Sequence, residues 1–458
     1  MAKFEIAGRR VVVVGAARSG IAAAELLAAH AARVTLADLK YELPDEARLK
    51  ARGIELALGP HDPRFLAAAD LIVLSPGVPL RQHALDRARR ARVPIVGEVE
   101  LASRLLRGRI VAITGTKGKS TTTTLVGRML QAAGLPAAVS GNIGAPLSAE
   151  VDRSTPETIH VVEVSSFQLE TTSTFHPWIA ALLNFSPDHL DRHANLREYS
   201  GAKARVFANQ GPDDVVVVNA DDPPAMKLAA RHAKAPRRLF SVERDLDEGV
   251  FVREGWIVER AASGGETALV KLDEVRLIGR HLLSDVAAAS AIARLAGAAA
   301  GAVRGAAAAF TGLEHALEPV MVVAGIRFVN DSKATNVEAA RRAIESFEGP
   351  LVPIIGGRFK GGDLRDLRPA LHGRVKAVIA IGEARPVIHQ ALGNAVAVVE
   401  AASMAEAVRA ALAASPPGGT VLLAPACSSF DMFSDYAERG RVFKREVARL
   451  AEELDSGA

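Results

Sequence analysis

Residues 110–126 read IVAITGTKGKSTTTTLV, and this stretch decides the fold. Its first five residues are apolar or β-branched, which is typical of a buried strand, and a helical pattern begins behind Lys119. Between them, Gly115 and Gly118 allow a turn whose backbone N–H groups point into one concavity, as they do in loops that bind phosphate. The stretch therefore predicts a strand, a phosphate loop and a helix.

The loop departs from the strict pattern GxxxxGK[ST], because Ile113 stands at the first glycine position. The shorter form keeps the groups that touch phosphate, with Lys119 as a mobile cation and Ser120 or Thr121 as a hydroxyl ligand for Mg²⁺. A Gly/Thr-rich turn that only opens a helix is the alternative, but a lysine and a serine seldom coincide at these places by chance. We expect the protein to use ATP or GTP.

Composition narrows the class of protein. A chain of 458 residues with 49% hydrophobic and 24% charged residues is long enough for two to four globular domains. The 56 basic and 52 acidic residues leave a net charge of only +4, and the basic residues form no long block, so nucleic acid is not an expected partner. A local cationic pocket for an anionic substrate is sufficient.

The single cysteine, Cys427, excludes an internal disulfide and a cysteine-based zinc site, which favours a reducing, cytoplasmic compartment. The sequence contains no run of 18 uncharged apolar residues and no pattern of an export signal. We therefore expect no membrane insertion, and we expect a monomer.

The first 108 residues alternate short apolar strands with helices, which indicates a parallel, doubly wound sheet. The turn from Gly15 to Gly20 has the outline of a dinucleotide loop, with Ala17 where the middle glycine belongs, and Asp38 ends the next strand. This degenerate loop alone leaves ligand binding and ligand-free Rossmann packing equally open. Ser75–Gly77 ends a further strand at the same edge, which favours a binding crevice there.

The second group of strands brings polar residues to the edge that carries the phosphate loop: Glu163, Ser165, Asn184, Asp188, His189, Asn219 and Asp221. Oxygen ligands beside a phosphate loop suit Mg²⁺. Glu163 interrupts a buried strand, HVVEVSS, and burying a carboxylate is costly unless it binds a metal or forms an ion pair, so both explanations stay open. For His189, a metal ligand and an ordinary loop histidine are equally open.

Further along, a hairpin with its turn at Glu254-Gly255 and a pair of Ala-rich helices complete the central domain, and parallel strand signals return after Leu313. Lys360 lies in a loop with four glycines, which favours an anion site over a solvated lysine. The sequence thus predicts an α/β protein of three tandem domains: a Rossmann-like N-terminal domain over residues 1–108, a central P-loop ATPase-type domain over 109–312 and a Rossmann-like C-terminal domain over 313–458.

Five ordered motifs resemble those of the Mur ligases, and within that family they are most similar to the D-glutamate-adding member: GTKGKSTTT from 115, EVSSFQLE from 163, NFSPDHLDRH from 184 with GAKARVF from 201, NDSKATN from 330, and PACSSFDMFSDYAERG from 425. The resemblance spans all three predicted domains. It implies ATP-dependent amide-bond formation through an acyl phosphate in peptidoglycan precursor synthesis, with UDP-N-acetylmuramoyl-L-alanine and D-glutamate as substrates.

The resemblance also implies roles for individual residues. Lys119 and the loop amides would hold the ATP phosphates, so the expected ATP-binding set is Gly115, Thr116, Lys117, Gly118, Lys119, Ser120, Thr121 and Asp331. Two Mg²⁺ sites would be formed, one by Ser120 and Glu163, the other by His189 and a carbamylated Lys203. Catalysis would then depend on Lys119, Glu163, His189 and Lys203.

The two other ligands are assigned by the same resemblance. The UDP-substrate would contact the N-terminal crevice and one loop of the central domain, through Arg18, Ser19, Asp38, Leu39, Lys40, Gly77 and Asn142. D-Glutamate would contact residues of the C-terminal domain, namely Thr335, Lys360, Ser429, Phe430 and Tyr436. Lys40 replaces an arginine that is usual in the family, which removes planar stacking near uracil.

Three further departures from the family pattern concern the ATP site. Lys117 stands where an asparagine is usual, Leu282 and Asp285 replace a pair of asparagines, and Ala316 replaces an arginine. We expect Lys117 to supply part of the positive charge that is lost at Ala316.

Other functions remain as alternatives. Another Mur-type or a folylpolyglutamate-type ligase would share the ATP site, but the C-terminal motifs form the amino-acid pocket and argue against both. A nucleotide-binding module without ligase activity is less favoured, because the chain has no NKxD base reader and Ala17 weakens the dinucleotide loop. An inactive paralogue is a third alternative, given Ala316.

Overall fold

We describe the protein from a computed structural model, which describes residues 4–456 except 44, 61–62, 189–191 and 277–279. The chain forms two compact units. The first comprises the residues up to Val275 together with His281–Ala309, and it contains two β-sheets. The second comprises chiefly Phe310–Ala458 and contains a third sheet.

The first sheet has five parallel strands in the order β3-β2-β1-β4-β5. Four consecutive valines make β1 a central strand that is buried on both faces, as a doubly wound sheet requires. The strands are β1 (Arg10–Val14), β2 (Arg33–Asp38), β3 (Glu55–Leu58), β4 (Leu71–Leu74) and β5 (Ile95–Gly97), and the helices are α1 (Arg18–Ala29), α2 (Glu46–Ala51), α3 (Pro63–Ala67), α4 (Asp86–Arg90) and α5 (Glu98–Ser103).

The second sheet has nine strands in the order β14-β13-β12-β11-β10-β9-β6-β8-β7. Its strands are β6 (Arg109–Thr114), β7 (Ala137–Gly141), β8 (Ile159–Glu163), β9 (Ile179–Leu182), β10 (Val215–Asn219), β11 (Arg237–Ser241), β12 (Gly249–Arg253), β13 (Trp256–Arg260) and β14 (Glu266–Lys271). Its helices are α6 (Lys119–Ala132), α7 (Ser166–Leu169), α8 (Leu196–Ala204), α9 (Pro223–His232), α10 (Arg280–Leu295) and α11 (Ala300–Ala309).

The strand β6 lies between β9 and β8, in register such that Ile113 pairs with Glu163 and Thr114 with Leu182. Because all three strands are parallel, the loop after β6 emerges beside Glu163 and beside the segment that follows β9. The predicted hairpin is confirmed: Arg253 pairs with Trp256, and the two turn residues Glu254 and Gly255 have positive φ.

The third sheet has the order β15-β16-β20-β17-β18-β19, and β15 alone runs antiparallel to its neighbour. The strands are β15 (Glu318–Val323), β16 (Ile326–Asn330), β17 (Leu351–Gly356), β18 (Ala377–Ile381), β19 (Ala397–Glu400) and β20 (Thr420–Ala426). The helices are α12 (Val337–Glu345), α13 (Arg368–Leu371), α14 (Arg385–Leu392), α15 (Met404–Ala414) and α16 (Tyr436–Asp455).

The predicted α/β class is confirmed by these three sheets, whereas the strand β15 is missing from the sequence analysis. The domain boundaries at 108/109 and 312/313 stay predictions. Across the residues that the structure describes, no helix combines the length and the apolar character needed to cross a lipid bilayer.

Glu100 in α5 joins the connection between the first two sheets to the segment before β9. Its buried carboxylate accepts the backbone N–H groups of Ser173, Thr174 and Phe175, the hydroxyl of Thr174 and the guanidinium of Arg104. Burial alone would raise the pKa of this carboxyl, but the hydrogen bonds outweigh burial and lower the pKa to about 2. The charged form is therefore bound more strongly in the folded protein than in the unfolded chain.

Substituting Glu100→Gln should reduce the free energy of unfolding at pH 7 by roughly 3 kcal/mol, since the shifted pKa favours the charged form by about that amount. The stabilisation is complete above the unfolded pKa near 4 and is lost as the pH falls through about 2. Urea unfolding at pH 7 and pH 3 should thus show a smaller difference at the lower pH. The exposed Glu243→Gln is the control, and an equal difference at both pH values would contradict the prediction.

Candidate active site

The loop between β6 and α6 has the backbone shape of a phosphate loop. Gly118 is the residue before α6 and has φ +79°, in the left-handed region that glycine tolerates best. The first turn of α6 then begins at Lys119, with Ser120 and Thr121 partly exposed. The free N–H groups at this helix end can bind an anion.

The side chain of Asn184, which follows β9, fixes this loop. Its carbonyl Oδ1 accepts the backbone N–H of Thr116 at 3.0 Å and of Lys117 at 2.8 Å, and its Nδ2 donates to the carbonyl of Lys117 at 3.1 Å. The side-chain amide of Asn184 therefore binds both the backbone N–H and the backbone carbonyl of Lys117. This contact is a positioning role that the sequence analysis did not predict, although it placed Asn184 at this edge.

Thr116 fixes the same loop from its other side. Its hydroxyl donates to the carbonyl of Ser186 at 3.1 Å and lies 3.2 Å from the hydroxyl of Tyr199, which is buried. The backbone N–H of Ser186 donates to Thr116 in return. The loop is thus ordered before any ligand binds.

Two lysines converge on the carbonyl oxygen of Gly115. Nζ of Lys119 lies 3.1 Å from it and Nζ of Lys203 lies 2.7 Å from it, and Lys203 is only 2% exposed. Burial and then the charge of Lys119 lower the pKa of Lys203 to about 7. The ring of Tyr199 faces the Lys203 ammonium at 4.9 Å and contributes a cation–π contact. An anion at this loop would meet the Lys119 ammonium beside a lysine whose pKa is low enough to leave it partly uncharged at neutral pH.

Glu163 ends β8 beside the loop and is 1% exposed. Its Oε1 accepts the side-chain amide of Asn142 at 2.7 Å, whereas its Oε2 has no hydrogen-bond partner among the residues described. The structure shows no ion pair of Glu163 within the ranges that it describes, and a metal ligand and an ion pair both stay open. Asn142, which the resemblance assigned to the UDP-substrate, orients this carboxylate.

His189 lies outside the described residues, and its predicted role as a metal ligand stays a prediction. Its neighbour Asp188 is described and lies 3.8 Å from the ammonium of Lys117. No cluster of three or more His, Cys, Asp or Glu side chains with metal-binding geometry occurs in the part of the chain that the structure describes.

In the first sheet, the predicted crevice residues lie at the carboxyl edge. Asp38 accepts the backbone N–H of Ala16 at 2.6 Å and of Lys40 at 2.9 Å, so its carboxylate shapes the loop after β1. Arg18 donates to the carbonyl of Gly144, which connects this loop to the second sheet. Ser19 and Gly77 lie at the same edge, and the Leu39 side chain is 67% exposed.

In the second compact unit, a buried arginine organises the strand ends. Arg439 is fully buried in α16 and donates to the hydroxyl and carbonyl of Ser332, to the carbonyl of Cys427 and to that of Gly356. These three strand ends are therefore held together by one guanidinium. The sequence analysis did not single out Arg439, since an arginine in an amphipathic helix gives no sign of its burial.

The residues predicted to bind D-glutamate surround these strand ends. The ammonium of Lys360 lies 5.8 Å from the ring centroid of Phe430, and both Phe430 and Tyr436 are exposed. Ser429 is buried beside Phe430, and Thr335 precedes α12. Burial raises the pKa of Asp331 to about 7, although its carboxylate accepts the backbone N–H of Leu317.

Comparison with known proteins identifies the family. Three family models match consecutive parts of the chain: a Mur ligase MurD-like N-terminal domain over residues 9–97, a Mur ligase middle domain over 113–293, and a Mur ligase glutamate ligase domain over 315–427. Together they cover more than half of the sequence.

The chain belongs to the Mur ligase family. Among curated Mur ligases, it is 47% identical to a UDP-N-acetylmuramoylalanine–D-glutamate ligase of Acidobacterium capsulatum over 445 residues, which are 96% of either chain. It is 43% identical to the protein of the same name from Pelotomaculum thermopropionicum, over 96% of this chain and 98% of that one.

Solved Mur ligase structures share the fold. The UDP-N-acetylmuramate-alanine ligase MurC from Thermotoga maritima aligns with a TM-score of 0.60 at 19% identity, over 96% of this chain and 99% of that one. A pseudomurein peptide ligase type C from Methanothermus fervidus aligns with a TM-score of 0.57 at 17% identity, over 97% of this chain and 100% of that one.

Substituting Lys117→Asn should raise the KM for ATP several-fold without changing the KM for the amino-acid substrate. The Asn184 side chain binds only the backbone of Lys117, so the loop should keep its shape while one positive charge is lost. Steady-state kinetics would measure this change, with Lys234→Asn at an exposed site as the control. An unchanged KM for ATP would contradict a role of Lys117 in phosphate binding.

Proposed function

We propose that this Mur ligase adds D-glutamate to UDP-N-acetylmuramoyl-L-alanine at the expense of ATP, in cytoplasmic peptidoglycan precursor synthesis. The observation that carries the proposal is the ordered phosphate loop with Lys119 and Lys203 on its Gly115 carbonyl, beside a Glu163 oxygen that has no hydrogen-bond partner in the described part of the chain. The names of the 40–47% identical relatives support the choice of substrates.

The reaction we propose has two steps. A carboxylate oxygen of the L-alanyl group attacks the γ-phosphorus of ATP, which releases ADP and forms an acyl phosphate. The amine of D-glutamate then attacks the acyl carbon, loses a proton, and expels inorganic phosphate to leave the amide bond. Both steps bring anions together, so the chief task of the protein is charge neutralisation and positioning.

The residues around the loop suit the first step. Loop N–H groups and Lys119 would bind the β- and γ-phosphates, and the Lys119 charge would offset part of the repulsion between the carboxylate and the triphosphate. Because Asn184 and Thr116 hold the loop in shape beforehand, little ordering is required when ATP binds.

The chain also offers oxygen ligands for Mg²⁺. The Oε2 of Glu163 is a buried carboxyl oxygen without a hydrogen-bond partner among the residues described. It lies beside the loop carrying Ser120, which fits one such ion. When bound, Mg²⁺ would neutralise charge on the phosphates. A second ion would require His189 and a modified Lys203, and that second site is part of the proposal.

The other ligands are proposed by residue type. The exposed ammonium of Lys360 would face a carboxylate of D-glutamate, and the Ser429 hydroxyl and the aromatic side chains of Phe430 and Tyr436 would orient it. At the first sheet, Arg18 and Ser19 would contact the UDP-substrate, together with Leu39, Lys40 and Gly77.

The decisive experiment supplies purified protein with Mg²⁺, ATP, UDP-N-acetylmuramoyl-L-alanine and one amino acid at a time, and measures phosphate release. We expect release with D-glutamate and at least a hundredfold less with L-glutamate, L-alanine, L-lysine or meso-diaminopimelate. The Lys119→Ala variant should lose the activity. Phosphate release with a different amino acid would contradict the assignment of the substrate, and ATP binding without any release would indicate an inactive paralogue.

We further propose that Lys203 is carbamylated in the active protein. The reaction joins the neutral amine to CO₂ and releases one proton, which converts a cation into an anionic oxygen ligand. A pKa of about 7 leaves a large neutral fraction at pH 7 to 8, whereas an ordinary lysine is almost wholly charged there. The same burial that lowers the pKa keeps competing water away from the carbamate.

Incubation with ¹³C-bicarbonate should therefore give a carbamate ¹³C resonance in the wild-type protein that is absent in Lys203→Arg. Activity should fall when CO₂ is removed and should return when bicarbonate is added. A wild-type protein that is fully active without CO₂ and shows no such resonance would contradict the carbamylation and leave the D-glutamate assignment unaffected.

A further inference from the structure

Asp285 lies in α10 and is buried against the phosphate loop, 5% exposed. Its Oδ2 and the nearby hydroxyl of Thr122 in α6 are both buried, and neither has a hydrogen-bond partner among the residues described. A buried acid with an unsatisfied oxygen is costly, so its presence at this place calls for a physical reason.

The Asp285 side chain packs closely against Gly118. A Cβ built on Gly118 would lie 2.1 Å from Oδ1 and 2.9 Å from Cγ of Asp285, which is far inside van der Waals contact. The carboxyl thus occupies the space that any larger residue at position 118 would need. Gly118 and Asp285 form one packing unit at the start of α6.

The protonation state of the Asp285 carboxyl also depends on its surroundings. Burial raises the pKa of Asp285 well above its ordinary value, whereas Thr122 and the ammonium of Lys119 act in the other direction and are weaker. Thr122 and Lys119 both lie in α6, and Asp285 is the acidic side chain of α10 that lies near them. Burial therefore favours the neutral acid, which has one O–H donor and one carbonyl acceptor, like an amide.

We propose that Asp285 is a positioning residue for the nucleotide: as an uncharged hydrogen-bonding side chain it holds the Gly118 turn in place and leaves Lys119 available for phosphate. This inference rests on the proposed use of ATP at this loop. A carboxylate at the same place would attract the Lys119 ammonium and repel the triphosphate, so the neutral form is the one that favours nucleotide binding.

The first test uses substitutions at position 285. Asp285→Ala should raise the KM for ATP about tenfold or more, since a lost buried contact of this kind is worth at least about 1.4 kcal/mol. The KM for D-glutamate should change less than twofold. Asp285→Asn has the same shape without a charge, and its KM for ATP should rise at most threefold. Ser290→Ala removes another buried polar group of α10 and is the control for helix truncation.

The second test combines two positions. Gly118→Ala should weaken ATP binding severely in the wild-type background, and the further loss should be smaller when Asp285 is already alanine, because the clash is then gone. The positive φ of residue 118 disfavours alanine equally in both backgrounds, so it does not affect this comparison. Equal losses in both backgrounds would contradict the packing unit.

Two results with the position-285 variants would contradict the proposal. A folded Asp285→Ala protein with wild-type KM for ATP would overturn the proposal, and so would an Asp285→Asn protein as impaired as Asp285→Ala, since that result would require the anion. If the wild-type protein itself releases no phosphate with its substrates, the proposed function fails first, and ATP affinity measured by calorimetry still tests the role of Asp285.

A third measurement does not depend on the alanine variant being folded. Because the folded protein holds a proton on Asp285 that the unfolded chain releases above about pH 4, wild-type stability should fall as the pH rises above that value. Asn at this position has no such proton, so the melting temperature of Asp285→Asn should exceed that of the wild type by more at pH 8 than at pH 5. An equal difference at both pH values would show that the carboxyl is not held neutral.

Discussion

The active-site edge depends on the carbonyl oxygen of Gly115, on which the side-chain nitrogens of the partly exposed Lys119 and the buried Lys203 converge. Burial and then the charge of Lys119 lower the pKa of Lys203 to about 7, and the close approach of two lysines also requires a rigid loop. Asn184 and Thr116 provide that rigidity through hydrogen bonds to the loop and its neighbour.

The same logic applies to the acids around the loop. Glu163 and Asp285 are both buried beside it, yet their surroundings differ. Glu163 accepts a hydrogen bond from the Asn142 amide and has no partner for its other oxygen within the described residues, whereas Asp285 packs on Gly118, where burial raises its pKa. One acid can therefore serve as a ligand and the other as a spacer, and the difference comes from their neighbours and not from residue type.

Much of this could be predicted from the sequence because the signals are local. The strand, glycines and lysine of residues 110–126 specify the loop, and apolar strands that end in polar residues specify the sheets and their common edge. Strand β15 was not predicted, because most of its residues are exposed or only partly buried, as the residues of a loop are. Asn184 was placed at the edge, but its contact with the loop depends on how β9 and β6 pair. The burial of Arg439 and of Asp285 could not be predicted, because it is produced by helices that pack from distant parts of the chain.

The distance in sequence between the phosphate loop and α10 has a consequence for the synthesis of the protein. The phosphate loop is synthesised early, whereas α10, which supplies Asp285, leaves the ribosome long after it. Until that helix docks, the Gly118 turn lacks the wall that shapes it. The packing around the phosphate loop is therefore completed only after the second sheet has acquired α10.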